Sequence, residues 1–174
     1  MENKQIYSTA FLGSRSPGYK TEKPIFYRCE ICDNVIVQYI PCAGKASTLE
    51  CSCCGEKMRL LIPQDSVGQA NEHQMAFNIF GGFDHNTIRI TVDDGCHPMS
   101  AEHHIEWIYL RTFQGGQMKY LTAKGKSVTM FSLANEDAFV FCGRDVCKYC
   151  KYQCKRGHYA YAYCNQHGLF EFKF

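Results

Sequence analysis

Residues 103–110 read His-His-Ile-Glu-Trp-Ile-Tyr-Leu. Ile105, Trp107 and Tyr109 alternate with Glu106, Ile108 and Leu110, so the segment is apolar on both faces, the pattern of a strand buried on two sides. Working outward, Ile88, Ile90 and Val92 alternate with polar neighbours, and strand-like runs cover 118–122, 127–133, 138–142, 159–163 and 169–174. Gly81-Gly82, Asp94-Gly95, Gly115-Gly116 and Lys124-Gly-Lys126 punctuate them as turns. No long amphipathic helix is legible. About seven short strands with turns between them predict an all-β chain, most of it an antiparallel sandwich or barrel.

The 174 residues suit one ordinary domain at its upper size, or a medium domain plus a very small one. Nineteen Lys and Arg against seventeen Asp and Glu leave a net charge of +2. That bias is too small to make nucleic acid or an anionic membrane the main partner. The N-terminus has no apolar run of signal-peptide length, and no stretch approaches the ~18 apolar residues of a spanning helix. A reducing cytoplasm is therefore expected, where the twelve cysteines read as metal ligands or redox groups rather than structural disulfides. There is no nucleophile elbow, P-loop or dinucleotide fingerprint.

Residues 1–24 are polar and loop-like, an N-terminal extension. From Ile25 cysteine pairs flank the apolar run Val35-Ile-Val-Gln-Tyr-Ile40. Residues 25–62 cannot bury enough apolar surface to fold without a staple, and a structural metal is the usual one. Cys29-x2-Cys32 with the adjacent pair Cys53-Cys54 offers four thiolates for a tetrahedral ion. Iron is the preferred reading, with structural zinc and unmetallated thiols as the others. Adjacent cysteines should strain the backbone to reach one ion. Cys42 and Cys51 are read as bystanders.

Among the seven histidines, His97-Pro-Met99 follows a turn and His103 opens the strand quoted above. His73 lies upstream, and Cys164-Asn-Gln-His167 lies between two strands. Turns cluster at the ends of a sandwich, so these groups could converge on one ion.

Four motifs together resemble the desulfoferrodoxin family of two-iron superoxide reductases: Cys29-x2-Cys32; Cys53-Cys54-Gly-Glu-Lys-Met58; His97-Pro-Met99 with His103-His-Ile-Glu-Trp-Ile108; and Tyr163-Cys-Asn-Gln-His-Gly168. The resemblance implies a desulforedoxin-like domain over 25–62, with iron on Cys29, Cys32, Cys53 and Cys54. It implies an immunoglobulin-like β-sandwich over 63–174, with a second iron held by His73, His97, His103 and His167 around an equator and Cys164 on the axis. His85, His104 and His158 match no family ligand. The implied activity is one-electron reduction of superoxide to hydrogen peroxide, with a rubredoxin-like donor restoring the iron and a homodimer as the assembly. Neutral imidazoles suit ferrous iron, and one thiolate raises electron density on it. The backbone N–H groups of Asn165 to Gly168 are expected to hydrogen-bond the Cys164 sulfur.

Two departures stand out. The family usually has Glu-Lys before its first histidine, where the lysine attracts superoxide; here Asn71 and Glu72 precede His73, and Gln74 replaces the proline that usually follows. A carboxylate at that place would slow capture of an anion. The chain also carries Cys142-x4-Cys147-x2-Cys150-x3-Cys154, interleaved with Lys148, Lys151, Lys155 and Arg156. These cysteines read as an additional zinc, iron or iron-sulfur site, a redox disulfide pair, or free thiols. The basic residues read as a solvated loop or as a field replacing the missing lysine. The competing functions are a non-catalytic iron electron-transfer or redox-sensing protein, and a zinc-stabilised interaction module.

Overall fold

The computed structural model describes residues 23–39, 50–66, 73–82, 85–138 and 158–173. Strands β1 (Ile25–Arg28), β2 (Val35–Gln38) and β5 (Arg59–Leu61) form an antiparallel sheet in the order β2-β1-β5. Two-residue strands β3 (Ser52–Cys53) and β4 (Glu56–Lys57) make a separate hairpin. Its connecting residues Cys54 and Gly55 both have positive φ, 53° and 80°, as a type I′ turn requires. The strain expected of adjacent cysteines is thus absorbed by a turn that positive φ already favours.

The remaining strands form two facing sheets. One is five-stranded in the order β10-β9-β12-β13-β6, built from β6 (Gln64–Asp65), β9 (Ile105–Arg111), β10 (Gly116–Tyr120), β12 (Tyr159–Cys164) and β13 (Gly168–Lys173). Its strands are antiparallel except for β6, which runs parallel to β13. The other has the order β11-β8-β7, from β7 (Met75–Gly81), β8 (His85–Val92) and β11 (Val128–Ala134). The fold is all-β, as the turn-punctuated alternation predicts.

Central strands β9 and β12 are covered on both faces. Ile105, Ile108, Leu110, Ala160, Ala162 and Cys164 join Ile88, Ile90, Val92 and Phe131 in the core between the two sheets. The opposite faces carry Trp107, Tyr109, Tyr161 and Tyr163, and Phe26 and Leu61 of the β2-β1-β5 sheet lie on them. Phe26 stacks on Trp107 at 5.4 Å between centroids and meets Tyr109 edge-on at 5.3 Å. The small N-terminal sheet therefore shares an aromatic core with the sandwich.

Two differences from the sequence reading have local causes. Ala138, the first residue of the run 138–142 read as a strand, closes the short helical turn α1 (Asn135–Ala138), and residues 139–142 lie outside the described residues. There the Asp137 carboxylate accepts from Thr112 Oγ1 (2.8 Å) and from the Gln114 backbone N–H (3.0 Å), while Asn86 Nδ2 donates to the Ala138 carbonyl (2.8 Å). These bonds hold the chain in a turn. Strand β7 is an addition: Met75, Phe77 and Ile79 do alternate, and they pack on the sandwich core. Removing a fully buried aromatic of this kind costs ~3–5 kcal/mol. Trp107→Ala should lose stability of that order in denaturant unfolding, whereas Tyr120→Ala, whose ring is 71% exposed, should stay within ~0.5 kcal/mol of wild type.

Candidate metal centres

At the tip of the N-terminal sheet, the chain after β1 turns back on itself. The Asp33 N–H donates to the Cys29 carbonyl (3.1 Å) and the Cys29 N–H to the Asn34 carbonyl (2.9 Å), with Asp33 at φ 59°. This knuckle brings Cys29 and Cys32 towards the Cys53-Cys54 turn. The four sulfurs lie within 4.8 Å of one another, with Cys32–Cys53 at 3.6 Å and Cys53–Cys54 at 3.9 Å. Backbone N–H groups of Cys32 and Ile31 bring the Cys29 thiol down to about 7. Crowding by Cys32 and Cys53 pushes Cys54 up to about 12. Four thiolates so close need a cation among them, and a soft ion held by sulfur answers that need. Cys51 is buried with Tyr27, Cys29 and Met58 beside the cluster and is not one of its four donors.

At one end of the sandwich, four imidazoles form a square. Ring centroids are 4.7 Å apart for His73–His97 and 4.8 Å for His97–His103, His103–His167 and His73–His167, with a diagonal of 6.4 Å between His73 and His103. Neighbouring rings are steeply inclined, by 65° to 74°. Cys164 Sγ lies 3.5 Å from His167 Nδ1, and the donor atoms of His73, His97, His103 and Cys164 fall within 4.8 Å of one another.

Three of the rings are held by contacts to residues outside the donor set. His73 stacks nearly parallel on Phe170 at 4.2 Å. His97 Nδ1 faces the Pro98 carbonyl at 2.7 Å, so Nδ1 carries the proton and Nε2 is left as a lone-pair donor. That Nε2 points at the His73 Nε2, 3.1 Å away. The Ser100 hydroxyl accepts the His103 N–H at 3.0 Å and the Ser100 N–H donates to the His103 carbonyl, so a Ser-x-x-His turn sets the third ring. His103 Nε2 is buried without a hydrogen-bond partner, an orphaned donor aimed into a cluster of lone pairs. A cation that accepts imidazole and thiolate together fits this set.

Of the backbone N–H groups expected to face the Cys164 sulfur, that of Asn165 donates to the His104 carbonyl at 3.1 Å. The Asn165 side chain completes a clamp, accepting from the His104 N–H (2.9 Å) and donating to the Glu102 carbonyl (3.0 Å), which Gln166 Nε2 also reaches (2.7 Å). These residues tie the His103 turn to the Cys164–His167 turn. His158 is fully buried near the Asp137 carbonyl and His85 is exposed at the start of β8, both away from the square. Glu72, Asn71, Cys42 and the insert carrying Cys142, Cys147, Cys150 and Cys154 lie outside the described residues.

A facing pair of sheets with an end-on His/Cys cluster defines a metal-binding β-sandwich. The match to known proteins narrows that class. Residues 81–173 match the desulfoferrodoxin family model, and this chain belongs to that family. A desulfoferrodoxin homolog of Methanothermobacter thermautotrophicus is 31% identical over 88 residues, 51% of this chain and 64% of that protein. The matched stretch thus spans just under two thirds of that relative. A desulfoferrodoxin of Syntrophotalea carbinolica is 30% identical over 112 residues, 64% of this chain and 82% of that one. In three dimensions the chain shares the fold of the superoxide reductase from Treponema pallidum, with TM-score 0.59 and 22% identity over 87% of this chain and 98% of that one. The family and the two donor clusters support iron binding. Among the described residues no helix is long and apolar enough to cross a membrane.

Burial, and then the nearby His97, His167 and His103, bring His73 from 6.5 down to about 4. A histidine held neutral in the fold stabilises it fully above the unfolded value, and that contribution is lost as pH falls towards the folded one. The metal-free protein should therefore lose stability between about pH 6.5 and 4. His73→Phe should flatten this limb in unfolding midpoints measured across that range.

Proposed function

We propose that this protein is a superoxide reductase, with iron held by His73, His97, His103, His167 and Cys164 and a second iron held by Cys29, Cys32, Cys53 and Cys54. The observation that carries the reading is the square of imidazoles beside one buried thiol. When bound at that square, iron supplies one electron to superoxide, which takes two protons and leaves as hydrogen peroxide, and an external donor returns the electron. The division into residues 25–62 and 63–174 belongs to the same proposal, as does a small rubredoxin-like protein as donor.

The chain's own groups supply three things to this chemistry. His73 is kept neutral by burial and His97 is oriented by the Pro98 carbonyl, so both present lone pairs rather than protons. Cys164 is fully buried, where a thiolate is poorly screened and its charge acts strongly on whatever the imidazoles hold. His167 is exposed and His103 half-buried, so one side of the square is open to a small anion from water.

Anaerobically purified protein should contain two irons per chain. On oxidation it should develop a long-wavelength thiolate-to-iron band that Cys164→Ala abolishes, while superoxide consumption falls to that of the metal-free chain. Iron in the four-cysteine cluster alone, with no such band, would make the protein an electron carrier. Zinc in both clusters would leave a structural metal protein.

A further inference from the structure

The two donor clusters meet in one side chain. Arg28 immediately precedes Cys29, and its guanidinium is a fork on Glu106, with Nη1 at 2.5 Å from Oε2 and Nη2 at 3.0 Å from Oε1. Nη2 also donates to Asp33 Oδ1 at 2.9 Å, and the guanidinium carbon lies 4.7 Å from the centroid of the Tyr163 ring. Arg59 pairs with Glu30 through Nε and reaches the Tyr163 hydroxyl through Nη2 at 3.4 Å. Glu30 lies within Cys29-x2-Cys32 and Asp33 directly follows it. Each acid therefore holds an arginine, and both arginines touch Tyr163, the residue before Cys164.

The place they touch aims the thiol. Between β9 and β12, Tyr163 pairs with Trp107 but Cys164 pairs with Ile105, so Glu106 is the extra residue of a bulge. A bulge re-aims the side chains beside it. Arg28 grips both components: Glu106 by its fork and Tyr163 by its face. Trp107 stacks parallel on Tyr163, 5.4 Å between centroids and 8° between planes.

We propose that the four-cysteine knuckle and the His/Cys square are energetically coupled through the Glu106–Tyr163 bulge, with Arg28 and Arg59 as positioning residues that carry the coupling. This rests on the reading of both clusters as metal sites. Among the described residues the buried core beneath the knuckle is Tyr27, Cys29, Cys51 and Met58, with Ile25, Ile36 and Cys53 partly buried against it, too small a core to hold the knuckle firmly without an ion. An ion joining Cys29 to Cys32 fixes Glu30 and Asp33, these hold the arginines, and the arginines hold the bulge from which Cys164 projects. By linkage the second site stabilises the first in turn.

The test is anaerobic titration of the metal-free full chain with Co²⁺, following the thiolate-to-cobalt bands of the two sites separately. Blocking the knuckle with Cys32→Ser plus Cys54→Ser should weaken cobalt binding at the His/Cys square by about fivefold or more, the lower end of ordinary coupling, and shift its thiolate band. Arg28→Gln plus Arg59→Gln should do the same with the knuckle intact. Combining all four changes should add little, because both sets break one link. Arg28→Lys keeps the charge without the fork and should fall between. A square that binds cobalt with unchanged affinity and band after the knuckle is blocked overturns the coupling and leaves the two-site reading standing, as do losses that simply add. A wild-type chain whose square takes no cobalt overturns the metal reading and the coupling with it.

Discussion

The structure depends on one irregularity in one strand pair. Along β12, alanines 160 and 162 face the core between the sheets, while Tyr161 and Tyr163 face the small N-terminal sheet. Along β9, Trp107 and Tyr109 face outward and Ile108 and Leu110 inward, yet Ile105 also lies in the inner core. Strict alternation forbids Ile105 and Ile108 sharing a face. The extra residue Glu106 reconciles them, and its carbonyl is not left unpaired, since the Leu121 N–H donates to it at 2.8 Å. Below the bulge the pair is ordinary sheet; above it the strands leave their regular path and present His103 and Cys164 to the same point.

This arrangement explains why the sandwich and the N-terminal sheet are packed face to face. An uncovered row of Trp107, Tyr109, Tyr161 and Tyr163 would expose a large apolar patch. The β2-β1-β5 sheet covers it with Phe26 and Leu61, and partly with Val35 and Val37. Among the described residues the buried charge at this interface is Arg28, nearly inaccessible and held by its fork on Glu106 and its bond to Asp33. Breaking such a pair by removing one partner is costly because the other is left behind.

Much of this was legible in the sequence. The double-sided alternation of 105–110 marked the central strand, and the spacing of Cys29, Cys32, Cys53 and Cys54 marked residues that the fold brings together. His73, His97, His103, Cys164 and His167 could be grouped by resemblance, and they converge. What stayed hidden has no local signature. Glu106 looks like a polar position on a buried strand and gives no hint that it is an insertion, because a bulge is a property of a pair of strands. Asn165 was read for its backbone N–H, which proved to be taken by His104 across a separation no sequence pattern encodes. Ser100-x-x-His103 did carry a signal, a hydroxyl three residues before a fixed histidine.

The four-cysteine knuckle has a wet edge and a dry edge. Cys32 and Cys54 are exposed, whereas Cys29 is buried against Tyr27 and Met58 and follows directly on Arg28. Charge placed there is felt unequally: water screens it on one flank, and on the other a guanidinium stands one residue away in a medium that screens poorly. The knuckle is thus a junction with a direction, approachable by other molecules from the side of Cys32 and Cys54 and wired to its own protein from the side of Cys29.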